Sequence, residues 1–246
     1  MSFLDFREPV SAWTHCAWML LALPGTLFLW RLSRGDRLKQ LSLLIFGISL
    51  ICCYGGSTLY HSVRLPQTDI ALCETLDQIG IYILIAGSYT PVAFTMLQGR
   101  WKWGSLTLVW LLAGVGIVLR SVCWDIPPWL YTGLYLAMGW GAVVCYFHLA
   151  RAISHRALLP LVVGGIFYSV GALMNLVKWP VLWPNVVGAH ELFHMLVMAG
   201  SLTHFGFMVQ WVAPFDRVGG MELSPSGAEP DAAAMGNTLE PGRVGS

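Results

Sequence analysis

Seven separated runs of about 20 mostly apolar residues, at 11–30, 41–62, 73–97, 102–122, 129–149, 158–177 and 188–211, constrain this chain more than any other feature. A helix rises 1.5 Å per residue, so about 20 residues cover the roughly 30 Å hydrocarbon core of a bilayer. No water is available there to satisfy peptide groups, so each span must close its hydrogen bonds within itself. The fold class that follows is all-α, a seven-transmembrane helix bundle. Composition agrees, with 56% of residues hydrophobic and only 11% charged, where soluble domains carry about 25% charged residues. A net charge of +1 points to no nucleic acid. The expected surroundings are membrane lipids.

The connections carry turn formers: Gly35, Leu65-Pro66, Pro127-Pro128, Trp179-Pro180 and Trp183-Pro184. Asp5 and Glu8 stand where a signal peptide would be basic, and the first apolar run is long enough to span, so no cleavable leader is expected. The six cysteines lie mostly in apolar stretches without a CxxC pair and read as small hydrophobes. One membrane domain is expected over 8–215. From 216 to 246 the chain turns to Gly, Pro, Ala, Ser and Glu, the composition of a disordered tail. Eight basic residues (Arg31, Arg34, Arg37, Lys39, Arg100, Lys102, Arg151, Arg156) fall at one face and four (Arg7, Arg64, Arg120, Lys178) at the other. The positive-inside rule then places the first loop in the cytoplasm and the N-terminus outside.

Ionisable residues inside a span are costly and mark function by default. Here they cluster. The second span ends Gly55-Gly56-Ser57-Thr58-Leu59-Tyr60-His61, with Ser57 and His61 on one helical face. The third begins Leu76-Asp77-Gln78, and the seventh begins His190-Glu191-Leu192-Phe193-His194. Up-and-down threading brings all three helix ends to one face of the membrane. His61, His190 and His194 can therefore converge at one depth beside Asp77. Three imidazoles plus a water form a catalytic type of zinc shell, so Zn2+ is the expected cofactor. The string from His190 to His194 also matches the HExxH pattern of metalloproteases, in which Glu191 would be the general base. On a helix Glu191 is turned about 100° from His190 and need not face the metal. His204, ten residues past His194, lies about 15 Å further along the axis. A helix-packing hydrogen bond is expected of it, an outer-shell place is open to His15, and His148 and His155 belong to the opposite face.

GSTLYHS before position 63, LDQIGIYILIAGSYTP (76–91) and GAHELFHMLVMAGSLTHF (188–205) resemble the hemolysin III family, the bacterial branch of the progestin-and-adiponectin receptor group. EPVSAWTH (8–15) and FYSVGAL are similar as well. The resemblance covers about 8–212. It implies zinc held by His61, His190 and His194, with Asp77 and Ser57 as the matching acid and hydroxyl. Gln78 departs from the family, whose bacterial members often carry His there. The resemblance further implies that the N-terminus and the zinc face the cytoplasm, opposite to the basic-residue count.

The chemistry expected is zinc-dependent hydrolysis of a lipid amide or ester in a prokaryotic plasma membrane, with Asp77 as general base and Ser57 orienting water or the oxyanion. Alternative readings are a non-enzymatic receptor-like or membrane-homeostasis protein with structural zinc, a pore-forming haemolysin, and an intramembrane metalloprotease.

Overall fold

The computed structural model describes residues 6–123, 125–184 and 186–216. Its helices are α1 (Pro9–Leu32), α2 (Arg37–Ser62), α3 (Gln67–Met96), α4 (Gly99–Val122), α5 (Pro128–Trp140), α6 (Val143–Ala152), α7 (His155–Val177) and α8 (Ala189–Phe207), the last running into a π-turn over Met208–Val212. Among the described residues there is no strand, and seven helices, counting α5 with α6, are long and apolar enough to cross a membrane. The expectation for the 216–246 tail lies outside the described residues except at Asp216.

Local chemistry sets the helix ends. Pro9 opens α1, where its missing N–H has no partner to lose. Asp36 accepts from the Lys39 N–H at 3.0 Å to start α2, and Ser154 caps α7 through the Ala157 N–H. Gly188 donates its N–H to Glu191 Oε2 at 2.8 Å as α8 begins. The helices α2 and α3 start several residues before the apolar runs at 41 and 73. An apolar window senses hydrocarbon, whereas the helix continues beyond it into the headgroup region.

The fifth span differs from the single helix expected over 129–149. It breaks at Gly141–Ala142 into α5 and α6. Tyr89 of α3 donates its hydroxyl to the carbonyl oxygens of Met138 at 2.9 Å and Gly139 at 3.3 Å. A side chain inserted into the hydrogen-bond ladder is a standard cause of a helix break. Glycines at 139 and 141 offer little resistance to it.

The helix α3 is the most enclosed, with 61% of its most apolar stretch buried against 22% for α1, α4 and α7. It packs on α2, α4 and α5, while α8 joins α1 to α7. Leu21, Leu111, Val118, Phe147 and Leu202 are exposed on the outside, as a lipid-facing surface requires. At the basic face, Lys39 Nζ donates to the carbonyls of Ala213 (3.2 Å) and Phe215 (2.6 Å), tying the start of α2 to the end of the last span.

The contact between α2 and α3 is backbone to backbone. A Cβ built on Gly80 would lie 2.7 Å from Cys53 Cα, and one on Gly56 would lie 3.1 Å from the Leu76 carbonyl oxygen. Only glycine permits this approach. A Gly80→Ala change should therefore destabilise the bundle by about 1–3 kcal/mol, the usual range for overpacking. Gly114→Ala, with open space around its Cβ position, should leave the detergent melting temperature unchanged. Equal melting temperatures for the two variants would refute the close-contact account.

Candidate metal centre

The last turn of α2 and the first turns of α3 and α8 meet at one end of the bundle. His61 and His194 are 0% and 2% exposed there. Each of His61, His190 and His194 offers a ligand atom, and these atoms all lie within 4.8 Å of one another. His61 Nε2 stands 3.4 Å from His190 Nε2. Tetrahedral zinc with Zn–N distances of 2.0–2.1 Å would place ligand nitrogens about 3.3–3.4 Å apart. Two imidazole nitrogens facing one another at that distance, one on a buried ring and one on a partly buried ring, suit a shared cation. The three-histidine cluster expected from the sequence is present and could hold a metal ion.

The flanking groups are arranged unequally. Asp77 Oδ2 lies 3.9 Å from His61 Nε2, on the side that faces the cluster. Ser57, one turn before His61, is 1% exposed. Its hydroxyl lies beside the Asp77 carboxylate but makes no hydrogen bond of full geometry. Behind the cluster, His61 Nδ1 meets Glu8 Oε2 at 2.5 Å, and His190 Nδ1 meets Asn175 Oδ1 at 3.3 Å. The His15 ring stacks on His194 with centroids 3.8 Å apart and planes inclined by 15°, and it meets Tyr54 edge-on. His15 is thus in contact with one of the three cluster histidines. Burial works to raise the pKa of Glu8, but its hydrogen bond to His61 and the charges of His61 and Arg7 outweigh that and hold it below the ordinary value.

Glu8 and Asn175 contact His61 and His190 from behind the cluster, and the sequence reading missed both. Glu8 precedes the first apolar run and reads there as an acidic residue in the wrong place for a signal peptide. Its partner lies 53 residues away. Asn175 is one amide near the end of an apolar helix, with no periodicity to single it out.

Glu191 is engaged elsewhere. Oε2 accepts the Gly188 N–H, and Oε1 accepts from the Ser11 hydroxyl at 3.4 Å. Its carboxylate thus serves the helix start and the α1 contact. His204 Nε2 donates to the Leu161 carbonyl of α7 at 3.3 Å, the packing bond expected of it. His148 lies against Trp101, and His155 pairs with the Tyr146 hydroxyl.

A cavity of about 570 Å3 reaches this polar end. Glu8, His61, Asp77 and His190 are among its lining residues, together with Leu97, Leu149 and Leu158 at the opposite ends of α3, α6 and α7. Between them the walls are mainly aliphatic and aromatic, from α3, α5, α6, α7 and α8. The arrangement joins a cluster of metal-binding character to a long apolar chamber.

Comparison with known proteins supports the same assignment of family. The Haemolysin-III related family matches residues 3–205. The chain is 34% identical over 201 residues to the Hemolysin-3 homolog of Bacillus subtilis (strain 168), covering 81% of this chain and 91% of that protein. It is 31% identical over 210 residues to Hemolysin-3 of Bacillus cereus, covering 85% and 93% respectively. A plant relative, heptahelical transmembrane protein ADIPOR2 of Oryza sativa subsp. japonica, is 32% identical over 179 residues, covering 66% of this chain and 78% of that protein. With its seven spans and this match over most of its length, the chain belongs to the haemolysin-III related family of integral membrane proteins.

Proposed function

We propose that this protein is a zinc-dependent hydrolase of lipid amides or esters in the plasma membrane. The observation that carries the reading is the placement of Asp77 Oδ2, 3.9 Å from His61 Nε2 on the cluster side, with both residues lining the largely apolar chamber. The Bacillus relatives and the seven spans favour a bacterial plasma membrane. Zinc held by His61, His190 and His194 would supply Lewis acidity, lowering the pKa of water toward about 7 and polarising a substrate carbonyl.

The chain's own groups do the rest. Asp77 takes the proton of the attacking water and returns it to the leaving nitrogen or oxygen as the acyl C–N or C–O bond breaks. The Ser57 hydroxyl orients that water or donates to the developing oxyanion. The chamber receives the acyl chain and keeps bulk water from it. Glu191 has no part in this chemistry, which sets the reading apart from a metalloprotease.

Metal content of the detergent-purified protein, by mass spectrometry, should be near one zinc per chain and fall to background in His61→Ala and in His194→Ala. A folded parent without metal, prepared free of chelators, would sink the hydrolase reading.

Asp77→Asn should keep its zinc and lose about 100-fold or more in turnover of N-acyl or O-acyl lipids, the usual range for a general base. Undiminished turnover in a zinc-loaded Asp77→Asn variant would remove the base from the mechanism. Zinc with no turnover in the parent, and a lowered melting temperature in His194→Ala, would instead mark the ion as structural.

A further inference from the structure

His61 is the cluster member with a carboxylate at its outer nitrogen among the described residues. A neutral imidazole carries one N–H, and the nitrogen that lacks it is the one able to bind a metal. At His61 the choice between the two nitrogens is made by what stands behind the ring. Glu8 Oε2 is 2.5 Å from Nδ1, while Nε2 points toward His190 Nε2 at 3.4 Å and Asp77 Oδ2 at 3.9 Å. An ionised carboxylate accepts only, so the N–H sits on Nδ1 and the Nε2 lone pair faces the cluster.

Glu8 is itself held in place by several bonds. Its backbone N–H donates to the His61 carbonyl at 3.0 Å, so the same two residues are joined twice. Its second oxygen accepts from Arg7 Nε at 3.1 Å, and the Arg7 guanidinium lies 4.1 Å above the Tyr60 ring. Arg64, just past the end of α2, donates to the Phe6 carbonyl at 3.1 Å. Residues 6–8 are thus strapped across the last turn of α2. The other two histidines have different backing. His190 faces the neutral amide of Asn175, and His194 faces the His15 ring.

We infer that Glu8 is a positioning residue for the metal centre: it fixes the Nε2-donor form of His61 and strengthens that nitrogen as a ligand. A carboxylate behind a ligating histidine orients the ring and raises its basicity. Glu8 also places a negative charge next to a shell of three neutral ligands, which offsets part of the charge of a divalent ion. The inference rests on the reading of the histidine cluster as a metal centre.

The test uses the full chain in detergent with two variants, Glu8→Ala and Glu8→Gln. Zinc affinity is measured by competition with a chromophoric chelator, and the metal-free proteins are compared by 15N-histidine NMR. Glu8→Ala should bind zinc about 10–100-fold more weakly, the usual loss for an outer-shell partner. Glu8→Gln, which keeps an acceptor oxygen without the charge, should fall between Glu8→Ala and the parent. The metal-free melting temperatures should agree, so that the loss belongs to the site and not to the fold. In the metal-free parent, His61 should show a protonated Nδ1 and an unprotonated Nε2, and Glu8→Ala should lose this preference. Parent-like zinc affinity and an unchanged His61 tautomer in Glu8→Ala would overturn the inference. If the parent takes up no zinc, the metal reading fails by that result, and the NMR comparison still decides whether Glu8 sets the tautomer. If Glu8→Ala does not fold, Glu8→Gln, which keeps the length of the side chain and an acceptor oxygen, carries the affinity measurement, and parent-like zinc affinity there would overturn the inference.

Discussion

Everything at the polar end of this protein depends on how closely α2 and α3 approach. Gly56 lies against the backbone of Leu76 and Asp77, and Gly80 lies against Cys53. A Cβ at Gly80 would stand 2.7 Å from Cys53 Cα and one at Gly56 3.1 Å from the Leu76 carbonyl oxygen, so side chains at these two points would push the helices apart. With them absent, Ser57 and His61 on α2 come alongside Asp77 on α3, and the carboxylate sits at a non-bonded 3.9 Å from the imidazole nitrogen. The remaining histidines arrive on a different helix, α8, whose first turn is anchored by Glu191 and Gly188. The site is therefore an agreement between a tight pair of helices and a third that docks against them.

Such a cluster is expensive to keep in a bilayer. Buried polar atoms lose hydration and regain it only through partners. Here the partners are divided by direction. Glu8, Asn175 and His15 back the three rings from outside, while the inward nitrogens face one another and Asp77. Inward-facing acceptors without a common donor are a poor arrangement for a protein alone and a good one around a cation.

Much of this was legible in the sequence, and the reasons differ by feature. The seven spans follow from hydrocarbon thickness and the 1.5 Å rise, a constraint that acts on each segment by itself. The pairing of His61 with His190 and His194 follows from antiparallel threading, which decides which helix ends are neighbours before any packing is known. Glu8, Asn175 and the broken fifth span escaped because each depends on one contact between distant residues. Tyr89 reaches across to Met138 and Gly139, and nothing local to 138–142 announces that a phenol will take their carbonyls. The helix ends at 37 and 67 were misplaced for another reason, since hydropathy marks where lipid begins and not where hydrogen bonding stops.

Lys39 lives two lives in succession. In the finished protein its ammonium is committed to the carbonyls of Ala213 and Phe215, 174 and 176 residues further along the chain. A ribosome delivers the chain from the N-terminus, so when the first loop meets the insertion machinery those carbonyls have not been synthesised. Only when the seventh helix has been made can this contact form. The contact that ties the start of α2 to the end of the last span is therefore among the final ones the chain can make.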